Sequence, residues 1–459
     1  MLKKLFGDKS FYKLVLKITL PIMAQQVLIN VVGLVDNLMV GTLNQDIISG
    51  VYIATQILFV MNLTLFGGLE GASIFFAQFF GSKDDKRLKQ CFNFKLYSEA
   101  ILGFISFFVI FFLGESIAKL FVDNNRAFIA GRYLKIYSTC LIPFILTNVY
   151  GTCFRESNKS IVPMIGSIIA IIVNIGLNYL LIFEHNGHFG FKEQGAALAT
   201  VIARFIECLF ILIYAYIKKP SFTHSLFKDY QIEKKLLKQI FIRSIPLVIN
   251  EFLWSMGQIM LVFAYSKVSD DAAACLSISQ TLFNVFYIAT IALGNGIAVI
   301  MGNTLGENKL HYAKQQIIYF LTLAVILAIF MGGLLAIIGP FIAKLYEVNV
   351  IVQQTAIHII YFNAVLMIIF SLNCTIFYCI RSGGFTAVVL IFDSLFSWLV
   401  QVPLALLLAY KSSLSLPLQF FIVNIAELIK LLVGVLLIKS GIWIKNLTKF
   451  DQKKVDTAH

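Results

Sequence analysis

Apolar residues recur along this chain in long, regularly spaced runs, and the pattern predicts twelve membrane-crossing helices. The runs fall at about 14–40, 47–80, 92–113, 129–154, 161–183, 194–217, 244–266, 272–304, 315–338, 349–380, 385–410 and 416–438. Each is long enough to cross a hydrocarbon core of ~30 Å as an α-helix. Several exceed the minimum length, so those helices are expected to tilt or to project beyond the bilayer. Ten-residue stretches of alternating polarity are absent from the pattern, which argues against a barrel. The fold class is therefore read as an all-α membrane protein.

The most informative polar interruption lies in Pro21–Gly41, PIMAQQVLINVVGLVDNLMVG, where one carboxylate, Asp36, sits deep in an apolar run. An ionisable group at such depth costs ~2.5 to 3.5 kcal/mol on insertion scales, so its default reading is a functional site. A satisfied polar contact between packed helices is the alternative. Gln25 precedes Asp36 by about three turns, and a polar stripe therefore runs down one side of this helix.

Charge orients the spans. With the N-terminus inside, the cytoplasmic segments hold 25 of the 37 Lys and Arg residues, the outside loops 6 and the spans 6. Both termini are thus expected on the cytoplasmic face of the cell membrane. The net charge of +13 is then topological and calls for no nucleic-acid partner. With 59% of 459 residues hydrophobic and 13% charged, the expected partner is the lipid bilayer, around a monomer. The basic start MLKKLFGDKSFYK leads into the first span without a small-residue cleavage site, so that span is expected to stay in the mature protein. The seven cysteines are scattered and odd in number, which suggests neither a disulfide framework nor a metal site. The histidines make no metal pattern, and there is no glycine-rich phosphate loop, nucleophile elbow or HExxH. No enzyme activity and no cofactor are expected. A nucleotide-driven pump would need a domain for which the chain has no room, so an ion gradient, H⁺ or Na⁺, is the expected energy source.

The chain also repeats itself. Laying it on itself with Pro21 over Pro246 brings Leu28 over Leu253, Asp46 over Asp271, Val60 over Val285, Gly71 over Gly296, Gly81 over Gly306 and Lys89-Gln90 over Lys314-Gln315, all without a gap. One further step of register places Arg155 over Arg381. Two six-span lobes, 1–217 and 244–459, are expected, the second ending in a basic tail. An even number of spans gives both halves one orientation, the parallel repeat found in secondary transporters, with the substrate site between the halves. The linker, 218–243, carries Ile232, Leu236, Leu237 and Ile240 on one helical face and is read as a surface-lying amphipathic helix.

Four stretches carry a family resemblance: P-x-x-x-Q-Q followed by GLVDNLMVG in the first span, GASIFFAQFFGSKD from Gly71 to Asp84, Pro246, Glu251 and Gly257 in IPLVINEFLWSMG, and RSGGFT from Arg381 to Thr386. In this order, on twelve spans with a half-chain repeat, the chain resembles the multidrug and toxic compound extrusion (MATE) family of cation-coupled exporters. The resemblance implies two six-helix lobes around a central cleft that alternates between inward- and outward-facing states. It also implies that Asp36, Asn174 and Thr200 match an ion and proton site of the first lobe, a possible Na⁺ site. Asn178, one helical turn from Asn174 and so on the same face, departs from the family's frequent second carboxylate, which weakens a Na⁺ site of hard oxygen ligands. Helix-packing hydrogen bonds are the alternative role for these asparagines.

In the second half the resemblance assigns Glu251 to ion coupling, with Gln258 on its face, and Asp393 is a second carboxylate within a span. The family commonly has Asp where this chain has Phe385. The register that pairs Pro21 with Pro246 places Asp36 on Leu261 and Gln26 on Glu251, so the scaffold reads as duplicated and its ionisable chemistry as not. Arg204 with Glu207, and Glu427 with Lys430, are three apart and can each neutralise one another along one helix. A structural role is expected for these pairs and for Glu99, while Glu70 between glycines is a secondary cleft candidate. Trp254, Phe283 and Tyr287 are candidates for stacking on a cationic drug, with core packing as the alternative. The expected activity is export of amphipathic, often cationic, compounds. A lipid-precursor flippase would want a cleft rich in Arg and Lys, and Arg204 is the one read clearly within a span of the first half.

Overall fold

The computed structural model describes residues 5–41, 45–185, 188–223, 231–269, 271–346 and 348–449. Residues 224–230 of the linker and 450–459 of the basic tail lie outside the described residues. The long helices are α1 (Lys9–Gly41), α2 (Gln45–Ser82), α3 (Asp85–Ala118), α4 (Asn124–Ser138), α5 (Leu141–Glu156), α6 (Ile161–Ile182), α7 (Lys192–Lys218), α8 (Lys234–Ser266), α9 (Ala272–Gly306), α10 (Leu310–Ala343), α11 (Val350–Ser382), α12 (Thr386–Lys411) and α13 (Leu416–Ser440). Among the described residues eleven helices are long and apolar enough to span a membrane, and α4 with α5, bent by 58°, makes a twelfth span. The chain is thus a multi-pass, almost entirely helical membrane protein. A short antiparallel hairpin, β1 (Glu184–His185) with β2 (His188–Phe189), joins α6 to α7.

Two local features follow from prolines. The fourth span breaks at Thr139 and Cys140, just ahead of Pro143. A proline lacks the N–H that would bond the carbonyl one turn back, and its ring collides with that carbonyl. In α12, the turns at Ile391–Leu395 and Ser397–Gln401 widen to π geometry just ahead of Pro403. Such turns re-aim side chains and recur at functional sites, and Asp393 lies in the first of them.

The chain packs as two compact units. One comprises Ala24–Phe76 and Lys83–Ser244. Its core includes Leu65, Leu134, Tyr133, Phe144 and Ala197, while Ile101, Phe104 and Phe112 of α3 are more than half exposed and face lipid. Phe222 of the linker is buried among the rings of Phe76, Phe92, Tyr150 and Phe154. Glu233, at the linker's far end, pairs with Arg87, and its backbone N–H donates to Gln90 Oε1. The amphipathic stretch is corrected: α8 starts at Lys234 and runs unbroken through the seventh span, and Leu236 and Ile240 are fully buried. Their apolar face packs on protein, not on a lipid surface.

The other unit comprises Met1–Met23, Ala77–Ser82 and Ile245–His459. Its core includes Leu261, Leu282, Ala328, Ile360 and Met367. Beyond α13, Trp443 is buried, and Gln78 holds the segment after it by donating to Lys445 O and accepting from Leu447 N–H. The repeat is physical as well as sequential. A Cβ on Gly71 would overlap Ser244 in the first unit, and one on Gly296 would overlap Thr19 in the second. Thr19 and Ser244 are themselves equivalent in the repeat that pairs Pro21 with Pro246, so each half's second helix leans on the other half's first helix at the same place.

Candidate functional site

Asp36, Asn174, Asn178 and Thr200 come together in the first unit, as expected. Asn174 and Asn178 are one turn apart on α6 and both buried. Asn178 Nδ2 donates to Asp36 Oδ1 at 2.5 Å and to Asn174 Oδ1 at 3.2 Å, and Asn174 Nδ2 donates to Thr200 Oγ1 at 3.3 Å. Tyr133 of α4 adjoins Thr200 and Asp36. It belongs to the site and was not singled out from the sequence, where a tyrosine in an amphipathic helix gives no distinguishing signal.

The chemistry of this cluster turns on Asn178. Its amide nitrogen, a donor, occupies the position between two acceptor oxygens that a bridging cation would take. Its own Oδ1 is buried without a hydrogen-bond partner among the described residues. In this arrangement Asp36, Asn174 and Thr200 supply three oxygens, and two of them already accept from the Asn178 amide. The donor set fits a proton on Asp36 better than a bare metal ion. No group of three His, Cys, Asp or Glu side chains among the described residues is arranged to hold a metal.

A polar chain runs on from Gln25. Gln25 Nε2 donates to Ser167 Oγ at 2.7 Å, Ser167 Oγ donates to Glu207 Oε1 at 2.7 Å, and Arg204 Nη1 donates to Glu207 Oε2 at 2.7 Å. Arg155 Nη1 reaches Gln25 Oε1 at 3.4 Å. The Arg204–Glu207 pair is therefore neutralised along α7 as expected, and is also wired to α1 and α6.

The second unit carries a corresponding chain. Asn250 Nδ2 donates to Asp393 Oδ2 at 3.3 Å and Lys430 Nζ donates to Asp393 Oδ1 at 2.7 Å. Lys430 lies 3.4 Å from Glu427 Oε2, which also accepts from Asn373 Nδ2 at 2.7 Å. Ser394 Oγ closes the group on Asn250 Oδ1 at 2.7 Å. Two expectations are revised here. Glu427 and Lys430 do not simply neutralise one another, because the shorter contact of Lys430 is to Asp393 on α12. The polar chemistry is also more duplicated than the carboxylates alone suggest. The register that pairs Pro21 with Pro246 carries Gln25 onto Asn250, and the register that pairs Arg155 with Arg381 carries Ser167 onto Asp393 and Arg204 onto Lys430. Each half thus has an amide on its first helix, a partner on its fifth and a cation on its sixth, half-buried at Arg204 and buried at Lys430. The cluster around Asp36 alone has no such counterpart, since Leu261 and Leu404 stand where Asp36 and Asn178 would map.

The remaining candidates are dispersed. Glu251 is half-buried on α8, next to Asn250, which is the residue bonded to Asp393. Trp254 and Gln258 are exposed on α8, and Glu70 is half-buried on α2. Phe283 is only 7% exposed. It stacks on Tyr287 with centroids 4.9 Å apart and meets Phe370 edge-on, while the Tyr287 hydroxyl donates to Phe370 O. This pair packs a core.

Comparison with known proteins agrees with this architecture. The family model described as MatE matches twice, over residues 21–180 and 246–407. The chain is 23% identical over 406 residues to the probable multidrug resistance protein YoeA of Bacillus subtilis, covering 86% of each. It is 25% identical over 348 residues to the multidrug export protein MepA of Staphylococcus haemolyticus, covering 75% of each. A crystal structure of MATE in the bent conformation superposes with a TM-score of 0.85 at 17% identity, over 96% of this chain and 97% of that one.

Proposed function

We propose, for a chain that belongs to the MatE family, that it is a proton-coupled antiporter exporting amphipathic, often cationic, compounds across the cell membrane by alternating access, with both termini cytoplasmic. The names of its relatives, multidrug resistance and multidrug export, support the substrate class. The observation that carries proton over sodium coupling is the Asn178 amide donating to both Asp36 and Asn174. A proton entering from outside binds Asp36 and removes the charge that Asn178 contacts; inward opening then releases it. An ion shifts such an equilibrium only by its difference in affinity between the two states, so a single half-buried carboxylate whose bonding changes with protonation is a sufficient lever. Each charge moved down the membrane potential supplies ~2.3 kcal/mol per 100 mV. Asp393 is ion-paired to Lys430, so its charge is already compensated, and Asp36 takes the coupling role alone.

The test is dye transport by purified protein in liposomes, with a pH gradient and then a sodium gradient imposed separately. Export should follow the pH gradient and vanish in Asp36→Asn. Transport driven equally by sodium alone would refute proton coupling, and undiminished export by Asp36→Asn would refute the role of Asp36.

A further inference from the structure

Away from Asp36, the first unit holds a second set of buried charges that the transport reading does not use. Lys95, in the third turn of α3, is fully buried, and its Nζ bonds Glu156 at 2.6 Å and 2.9 Å and Thr152 Oγ1 at 3.4 Å, with the Phe76 ring 4.9 Å away. Glu156 is the last residue of α5, at the cytoplasmic end of its span. Glu99, one turn further into the membrane on the same face of α3, is fully buried too, and neither of its carboxyl oxygens has a hydrogen-bond partner among the described residues. The groups facing it are limited. Lys95 is the charge whose field reaches it, and α2 presents the backbone of Gly68. Glu70 lies about 200° round α2 from that glycine. From α5 the titratable groups near Lys95 are Glu156 and Cys153, with the Arg155 charge acting on Glu156, and from α3 itself Cys91. The linker helix at Ser221–Thr223 brings Phe222 to this region.

We propose that Glu99 is a proton-binding site, and that Lys95 exchanges between Glu156 and Glu99 as the proton passes between the two carboxyls. The charges balance in both arrangements. Lys95 stays an ammonium throughout, one carboxylate pairs with it, and the other holds the proton. In the structure Lys95 pairs with Glu156, so the proton resides on a Glu99 oxygen. When Lys95 turns to Glu99, the O–H bond at Glu99 breaks, its electron pair stays on the oxygen, and Glu156 takes up the proton at the membrane edge, where water can collect it. A buried charge left without a partner is strongly disfavoured, which is what ties the movement of Lys95 to the movement of the proton. The spacing makes this possible, since a flexible four-carbon stem serves carboxylates one turn above and at the helix end below.

Infrared difference spectroscopy on the full-length protein in lipid tests this without any transport measurement. The parent should show a protonated-carboxyl band that is lost in Glu99→Gln. In Glu156→Gln, Lys95 has only Glu99 to pair with, so the Glu99 band should disappear at neutral pH; adding Lys95→Met should bring it back. An unchanged band in Glu99→Gln, or a Glu99 band that survives Glu156→Gln, would overturn the proposal. If Glu156→Gln does not fold, Lys95→Met in the parent background decides the matter: the Glu99 band must then persist to higher pH than in the parent, and an unaltered titration counts against the exchange.

Discussion

Gly81 of α2 and Gly306 of α9, equivalent positions of the two halves, each press against the backbone of the other's helix: a Cβ on Gly81 would overlap Asn303 and one on Gly306 would overlap Gln78. Gln78 and Asn303 are the same repeat position, so the contact is reciprocal. Because backbone atoms cannot swing aside as a side chain can, Gly306→Ala should cost about 1–3 kcal/mol or more through overpacking, and Gly81→Ala a similar amount. Melting of the detergent-solubilised protein should fall by several degrees for each. Gly333, which has open space around it, is the control, and Gly333→Ala should melt within a degree or so of the parent.

Asn178→Asp should change the coupling ion. A second carboxylate beside Asp36 replaces the amide donor by an acceptor, and two like charges at this distance are relieved either by a shared proton or by a cation between them. Sodium should then raise the melting temperature of the variant, through binding to the folded state alone, and leave the parent unaffected. A sodium-insensitive Asn178→Asp would place the cation selectivity elsewhere.

Removing Lys430 should cost more than removing the group it serves. Lys430→Met leaves the buried Glu427 and the half-buried Asp393 without the cation they share and is expected to destabilise by up to ~3–5 kcal/mol, the range for broken buried pairs. Lys430→Met with Asp393→Asn should recover part of that loss. Denaturation midpoints of the single and double variants measure the coupling directly.

At the start of α4, Asp123 accepts from the backbone N–H groups of Asn125 and Arg126, each at 3.1 Å. The Arg126 N–H, first, holds its carboxyl below the usual range. A depressed carboxylate stabilises the fold above its ordinary pKa, and that stabilisation is lost as pH falls through the lowered value. Hydrogen exchange at the first-turn amides of α4 should therefore quicken on acidification below the usual carboxylate range. Asp123→Asn, which keeps the cap without the charge, should remove the pH dependence.

The sequence by itself determined the twelve spans, the half-chain repeat and the place of Asp36 within an apolar run. Avoidance of lipid by polar groups is written along one dimension, so the length of an apolar run and the oddity of one carboxylate within it need no third coordinate. The Asp36, Asn174, Asn178 and Thr200 cluster was legible as well, through the one-turn spacing on α6 and the family resemblance. Tertiary structure decided which buried polar groups meet. Lys430 was within reach of Glu427 by spacing, yet Asp393, on another helix, is nearer. Lys95 and Glu156, on helices far apart in the chain, form a pair that no periodicity announces. The direction in which Asn178 turns its amide follows from the oxygens packed around it. Helix spacing restricts the face a residue occupies, and only the packing of those faces fixes the partner and hence the chemistry.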